Sequence, residues 1–149
     1  MRIRKAEERD IGAILAMLEK FWALTHYAKS GVPFDEESSF SSMMMSYEQG
    51  MLIVAEDDGV IGFAGGIYTP LLGNYNYRMG IELSWWIEEE HRNAGNGQKL
   101  LEGLEGVAKE NGVDFWNMVT LEGASPEAAE HMYARNGYKK TETTFLKEL

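Results

Sequence analysis

The stretch from Ile81 to Leu101 constrains the fold more than any other part of the sequence. An apolar run, Ile81-Glu82-Leu83-Ser84-Trp85-Trp86-Ile87, leads to Arg92-Asn93-Ala94-Gly95-Asn96-Gly97, which opens straight into Gln98-Lys99-Leu100-Leu101. Ile81, Leu83, Trp85 and Ile87 alternate with Glu82, Ser84 and Trp86, which predicts a central strand over 78–87. Leu100, Leu101, Leu104 and Val107 predict a helix over 98–109, ended by Asn111-Gly112. The segment therefore reads as strand, glycine loop, helix. A helix N-terminus offers unpaired N–H groups and the positive end of a dipole. Glycines just before it let main chain approach a bound anion. A phosphate or pyrophosphate is the natural ligand of such a turn. The alternative is an ordinary strand-to-helix turn, with glycines for geometry only.

Spacing sorts the phosphate motifs. A nucleotide P-loop needs Lys-Ser/Thr after its last glycine, whereas Gly97 is followed by Gln98-Lys99-Leu100. A dinucleotide fingerprint starting at Gly95 would put its third glycine at Leu100. Both readings fail, and Arg-x-x-Gly-x-Gly after a strand remains.

The rest of the sequence predicts one domain over 1–149. A strand over 2–5 precedes Asp10, placed as an N-cap, and a helix whose stripe is Ile11, Ile14, Leu15, Leu18 and Trp22. Ser30-Gly31-Val32-Pro33 breaks the chain, and a polar helix follows over about 36–49. Strands over 51–56 and 60–68 flank the turn Asp57-Asp58-Gly59. Residues 70–76 read as a loop and 115–121 as a strand. Ser125 and Pro126 start a helix that Gly137 stops, and 138–149 reads as a final strand region.

Charge and composition narrow the function. Fourteen Lys and Arg against 24 Asp and Glu give a net charge of −10, which argues against nucleic acid and leans mildly towards a cationic substrate. With no cysteine there is no disulfide, zinc-thiolate site or cysteine nucleophile. His26, His91 and His131 are scattered, so no metal is expected. The charged N-terminus and the lack of a long apolar run predict a cytoplasmic protein without membrane contact.

Arg92-x-x-Gly95-x-Gly97, between Trp85-Trp86-Ile87 and Leu100-Leu101, resembles the acetyl-CoA-binding motif of the GNAT-type N-acetyltransferases. Met132, Tyr133, Gly137 and Tyr138 resemble that family's late Leu-Tyr-x-x-x-Gly-Phe motif, and residues 2–11 resemble its first strand and helix. The resemblance covers the whole chain in order. It implies an α/β fold, a mixed, mostly antiparallel sheet flanked by about four helices. It also implies acetyl transfer from acetyl-CoA to a primary amine.

Residue roles follow from that resemblance. Asn93, Ala94, Gly95, Asn96, Gly97 and Gln98 would hold the phosphates, with Arg92 adding charge. The family's central strand carries a bulge and splays from its neighbour, exposing main chain to the pantetheine arm; Trp85, Trp86 and Ile87 occupy that place. Asn117 would contact the pantetheine amides. Tyr133 would return a proton to the leaving thiolate, or else pack in the core with its hydroxyl bonded to backbone. Family members often carry an asparagine seven residues before this tyrosine, where this chain has Pro126.

An ammonium of pKa about 10.4 is rarely neutral at pH 7, so a carboxylate base is useful. Glu82, flanked by apolar residues, is the candidate; a solvated or salt-bridged glutamate is the competing reading. Trp22, Tyr27, Phe34 and the run Met43-Met44-Met45 are candidates to line the acceptor site, or else to pack in the core. Without a cysteine, transfer would be direct, in a ternary complex. A small-molecule or protein amine would be the partner, and exposed strand edges with two adjacent tryptophans are compatible with a homodimer. A non-catalytic acyl-CoA-binding or protein-interaction domain on the same fold is the alternative.

Overall fold

The computed structural model describes residues 1–92, 95–124 and 126–149. Its centre is a five-stranded sheet in the sequential order β1 (Arg2–Lys5), β2 (Leu52–Glu56), β3 (Val60–Leu71), β4 (Asn74–Ile87) and β5 (Phe115–Asn117). The first three pairings are antiparallel, and β5 joins β4 in parallel. The helices are α1 (Ile11–Trp22), the single turn α2 (His26–Lys29), α3 (Glu36–Glu48), α4 (Asn96–Glu110) and α5 (Pro126–Arg135). This is the mixed, mostly antiparallel α/β arrangement expected, with four substantial helices.

Two apolar layers sandwich the sheet. On one face Ile14 and Met17 of α1 and Met43 of α3 meet Leu52, Val54 and Phe63. On the other, Leu100, Leu104 and Val107 of α4 meet Ile53, Ala55, Ala64 and Ile87. Alternate residues of β2 and β3 feed the two layers, as strand periodicity requires. Leu101 joins Met132 and Tyr133 of α5 in a third cluster beside α4.

Several sequence expectations need correction. Residues 70–76 are mostly strand rather than loop: β3 runs to Leu71, β4 starts at Asn74, and Gly73 turns between them at φ +92°. The strand after α4 stops at Asn117 instead of Leu121. Helix α4 begins at Asn96, two residues before Gln98. Asp10 stands at the start of α1, yet its carboxylate turns back to accept from Arg4 and the Glu7 N–H. The final strand over 138–149 is absent. Those residues form no regular structure, and Phe145 at their centre is 90% exposed. With no apolar surface to cover and no ladder joined, that backbone stays solvated.

Candidate active site

The alternation read along β4 breaks at Leu83. Ser84 pairs with Gly65 and Glu82 with Gly66, so two adjacent glycines face residues two apart. Leu83 is the extra residue of a β-bulge. The slip moves Glu82 to the opposite face from Ser84, onto the side that holds Trp85 and Ile87. Trp86 stays on the other face, against the α1 and α3 layer. The sequence pattern had grouped Glu82 with Trp86; the bulge groups it with Trp85 instead.

Beside the bulge the sheet opens. Strand β5 pairs with β4 only through Met79, Gly80 and Ile81. The Asn117 side-chain N–H donates to the Gly80 carbonyl at 3.0 Å and closes the ladder there. Beyond it the chain leaves, so the β5-side edge of residues 82–87 has no strand partner among the described residues. Trp116 lies across Gly66 and Gly80, where any Cβ would overlap its ring. Those two glycines therefore let an indole cover the sheet below Glu82.

Glu82 is 5% exposed and has no cationic partner among the described residues. One carboxylate oxygen accepts the Val119 N–H at 3.3 Å. Burial pushes its pKa up to about 8, and the Val119 bond opposes the shift without cancelling it. Tyr133 of α5 is 7% exposed and donates its hydroxyl to the Val119 carbonyl at 3.0 Å. Burial raises the phenol's pKa, and the nearby Glu82 charge raises it further. One residue, Val119, thus receives the two ionisable side chains from opposite sides. Tyr138 packs its ring 5.6 Å from that of Tyr133 and anchors its own hydroxyl on Glu105 of α4.

The α4 N-terminus matches an anion site. Gly95 caps it at φ +107°, a conformation that favours glycine, and no side chain caps the helix. A main-chain bond runs from the Lys99 N–H to the Gly95 carbonyl, and among the described residues the N–H groups of Asn96, Gly97 and Gln98 have no main-chain acceptor. No acid lies in this first turn. A cavity of about 470 Å³ opens here, lined by Gly95, Gln98, Arg135 and Asn136. Gln98 and Asn136 exchange reciprocal amide bonds of 2.6 and 2.8 Å and so tie α4 to the end of α5. Arg135 supplies the cavity's positive charge. Sequence reasoning missed it, although a cation two residues before the Gly137 stop was a visible signal.

The other expected residues divide. Arg92 turns inwards: its Nε donates to the Ile87 carbonyl at 2.7 Å, and its guanidinium lies 4.3 Å from the centre of the Trp86 ring. It braces the end of β4. Asn96 donates from its side chain to the His91 carbonyl at 2.9 Å, bracing the loop from the other end. Gly97 rests against Trp85 and Met132. Asn93, Ala94 and Ser125 lie outside the described residues.

A second cavity, of about 440 Å³, lies between α1, α3 and the bulge. Trp22, Met43, Leu83 and Ser84 are on its wall. Tyr27 is not; it stacks behind Trp22 with ring centres 6.0 Å apart. Phe34 is half-buried away from the lining. Trp22 also donates to the Val32 carbonyl at 3.1 Å, which pins the segment between α2 and α3 over the cavity.

Comparison with known proteins places this geometry. The sequence model of the acetyltransferase (GNAT) domain matches residues 48–140. A search of the curated proteins finds no match. Among solved structures, a ribosomal-protein-alanine N-acetyltransferase from Brucella melitensis biovar Abortus 2308 is similar over 100% of both chains, with 15% identity and a TM-score of 0.72. A second ribosomal-protein-alanine N-acetyltransferase, from Brucella melitensis, is 23% identical over 95% of this chain and 86% of that one, with a TM-score of 0.74. AAC(6')-Iy, in complex with the bisubstrate analogue CoA-S-monomethyl-acetylneamine, is 15% identical over 99% and 97% of the two chains, with a TM-score of 0.74. At these identities the neighbours establish the fold, and the domain match establishes the family. The chain belongs to the GNAT acetyltransferases and is an N-acetyltransferase.

Proposed function

We propose that the protein moves the acetyl group of acetyl-CoA directly to a primary amine, with both held at the gap between β4 and β5. The observation that carries this reading is Glu82: a buried carboxylate without a cation, placed by the bulge at the opening of the sheet. The pyrophosphate would meet the free N–H groups of Asn96, Gly97 and Gln98 and the Arg135 guanidinium. The unpaired edge of β4 from Trp85 to Ile87 would take the pantetheine arm, and Asn117 marks where the gap begins.

In the chemical step the neutral amine nitrogen attacks the thioester carbon. The N–C bond forms and the C–S bond breaks. The nitrogen's surplus proton goes to the Glu82 carboxylate, and the sulfur takes a proton from Tyr133. After the products leave, Glu82 gives its proton to solvent and the Tyr133 phenolate takes one from solvent, which restores both groups. A base with a pKa of about 8 suits this role at neutral pH, because it holds a proton well while being ionised often enough to accept one. An ordinary glutamate would be a weaker base. The acceptor would enter from the α1 and α3 face, where Leu83 and Ser84 border the second cavity.

Calorimetric titration with acetyl-CoA, against NAD and ATP, tests the binding half. Micromolar binding of acetyl-CoA alone is expected. Amine-dependent release of free thiol tests the other half, and binding without such release would reduce the protein to an acyl-CoA carrier.

A further inference from the structure

The second cavity has a chemical character of its own. Its wall is mainly apolar, from Phe21, Trp22, Phe63 and Leu83. Apart from Asp35, its polar side chains are neutral hydroxyls. Ser38, Ser42 and Ser46 recur every four residues along α3 and so share one face of that helix. Ser46 is 2% exposed, lines the cavity, faces Gly65 across its floor, and has no hydrogen-bond partner among the described residues. Its oxygen is open to the cavity, where a ligand can supply a partner. The approach to Gly65 is close: a Cβ at residue 65 would stand 3.3 Å from the Ser46 oxygen.

Charge on the wall is scarce. Asp35 is the one acid among the described lining residues, and it is committed as the cap of α3, accepting the Ser38 N–H at 2.8 Å. That commitment holds its carboxyl below the usual range. A polyamine or aminoglycoside brings several ammonium groups, and each buried one requires its own anion. The cavity offers no such set, although the chain as a whole carries a net charge of −10. An apolar ring or branched chain, by contrast, would be desolvated on all sides.

We infer that the acceptor is a small primary amine on an uncharged apolar body, carrying a hydroxyl or carbonyl oxygen that pairs with Ser46. This rests on the transfer reading above and names the substrate class for it. The amine end would lie at Leu83 and Ser84 and would reach Glu82, which faces the other side of the sheet, through the gap between β4 and β5; the oxygen would lie at the far end, beside Ser46.

Tyramine, phenethylamine and spermidine separate the terms when thiol release is followed at saturating acetyl-CoA. Tyramine should exceed spermidine in kcat/KM by about 100-fold and phenethylamine by about tenfold, since a buried unpaired polar group discriminates strongly. Ser46→Ala should lower kcat/KM for tyramine about tenfold more than for phenethylamine. Ser42→Trp, which fills the cavity from an exposed position on α3, should abolish turnover of both aromatic amines while acetyl-CoA titrates as in the wild type. Preference for spermidine, or equal losses in Ser46→Ala, would overturn the acceptor class alone. Failure of acetyl-CoA to bind the wild type would overturn it together with the transfer reading.

Discussion

Two carboxylates in this molecule are buried almost equally and behave in opposite ways. Asp10 is 3% exposed and Glu82 is 5% exposed. Asp10 faces Arg4, with bonds of 2.6 and 2.9 Å to the guanidinium, and accepts the Glu7 N–H as well. Its pKa falls below the ordinary value of 3.8, chiefly through the Arg4 bond. Glu82 has one long main-chain bond, and its pKa rises from 4.5 to about 8. Solvent exposure is nearly the same; Glu82 lies deeper in the protein, and the partner sets differ. In the N-terminal corner Arg4 of β1 holds Asp10 at the start of α1 and also grips Glu56 of β2 at 2.9 Å. The β4 bulge keeps its carboxylate uncommitted. A group left neutral at a cost to stability beside an open sheet edge is what proton transfer needs.

The stability signs follow from the shifts. Asp10 stabilises the fold above pH 3.8, and that contribution is lost as pH falls through its lowered pKa. Glu82 favours the fold while neutral. That contribution is full below pH 4.5 and is lost as pH rises through about 8.

Breaking the first site should have the largest effect. Arg4→Met strands two carboxylates and should cost about 4 kcal/mol in denaturant unfolding, while the activity of the folded fraction persists. Next comes the second site: Glu82→Gln should lower kcat/KM about 100-fold at pH 8.5, measured as amine-dependent thiol release. The same substitution should raise unfolding free energy at pH 9 and change it little at pH 4, which sharpens the contrast with Arg4→Met. Smallest, Tyr133→Phe should reduce kcat about tenfold with acetyl-CoA affinity retained. Unchanged turnover in that variant would leave Tyr133 a packing residue whose hydroxyl serves Val119.

Much of the architecture was legible because its signals are local. The glycine loop, the stripe of α4, the Asp57-Asp58-Gly59 turn and the Gly137 stop are each set by neighbours in sequence. A bulge in β4 was implied by the family resemblance, at Trp85 to Ile87, but its position at Leu83 was not legible. Its cause lies in the pairing of β3 with β4, where Gly65 and Gly66 meet residues that alternation alone assigns to a single face. The same limit explains the tail: 138–149 has strand composition, but a strand needs a neighbour, and β5 offers only three residues. In the site, Glu82 and Tyr133 were legible as residue types. Their meeting at Val119 was not, being a product of where α5 packs. Ser46 and Arg135 went unread because a buried serine and a helix-terminal arginine look ordinary until a cavity is seen beside them.

Burial without a cationic partner among the described residues holds Glu82 neutral into the neutral pH range, and its own titration tests that most directly. The carboxyl carbon of Glu82 can be followed by NMR in carbon-13-labelled protein, with Glu82→Gln for assignment and Asp10 as the internal contrast. A midpoint near pH 8 for Glu82, with Asp10 ionised throughout the neutral range, is the predicted result. A midpoint near the ordinary 4.5 for Glu82 would contradict the account.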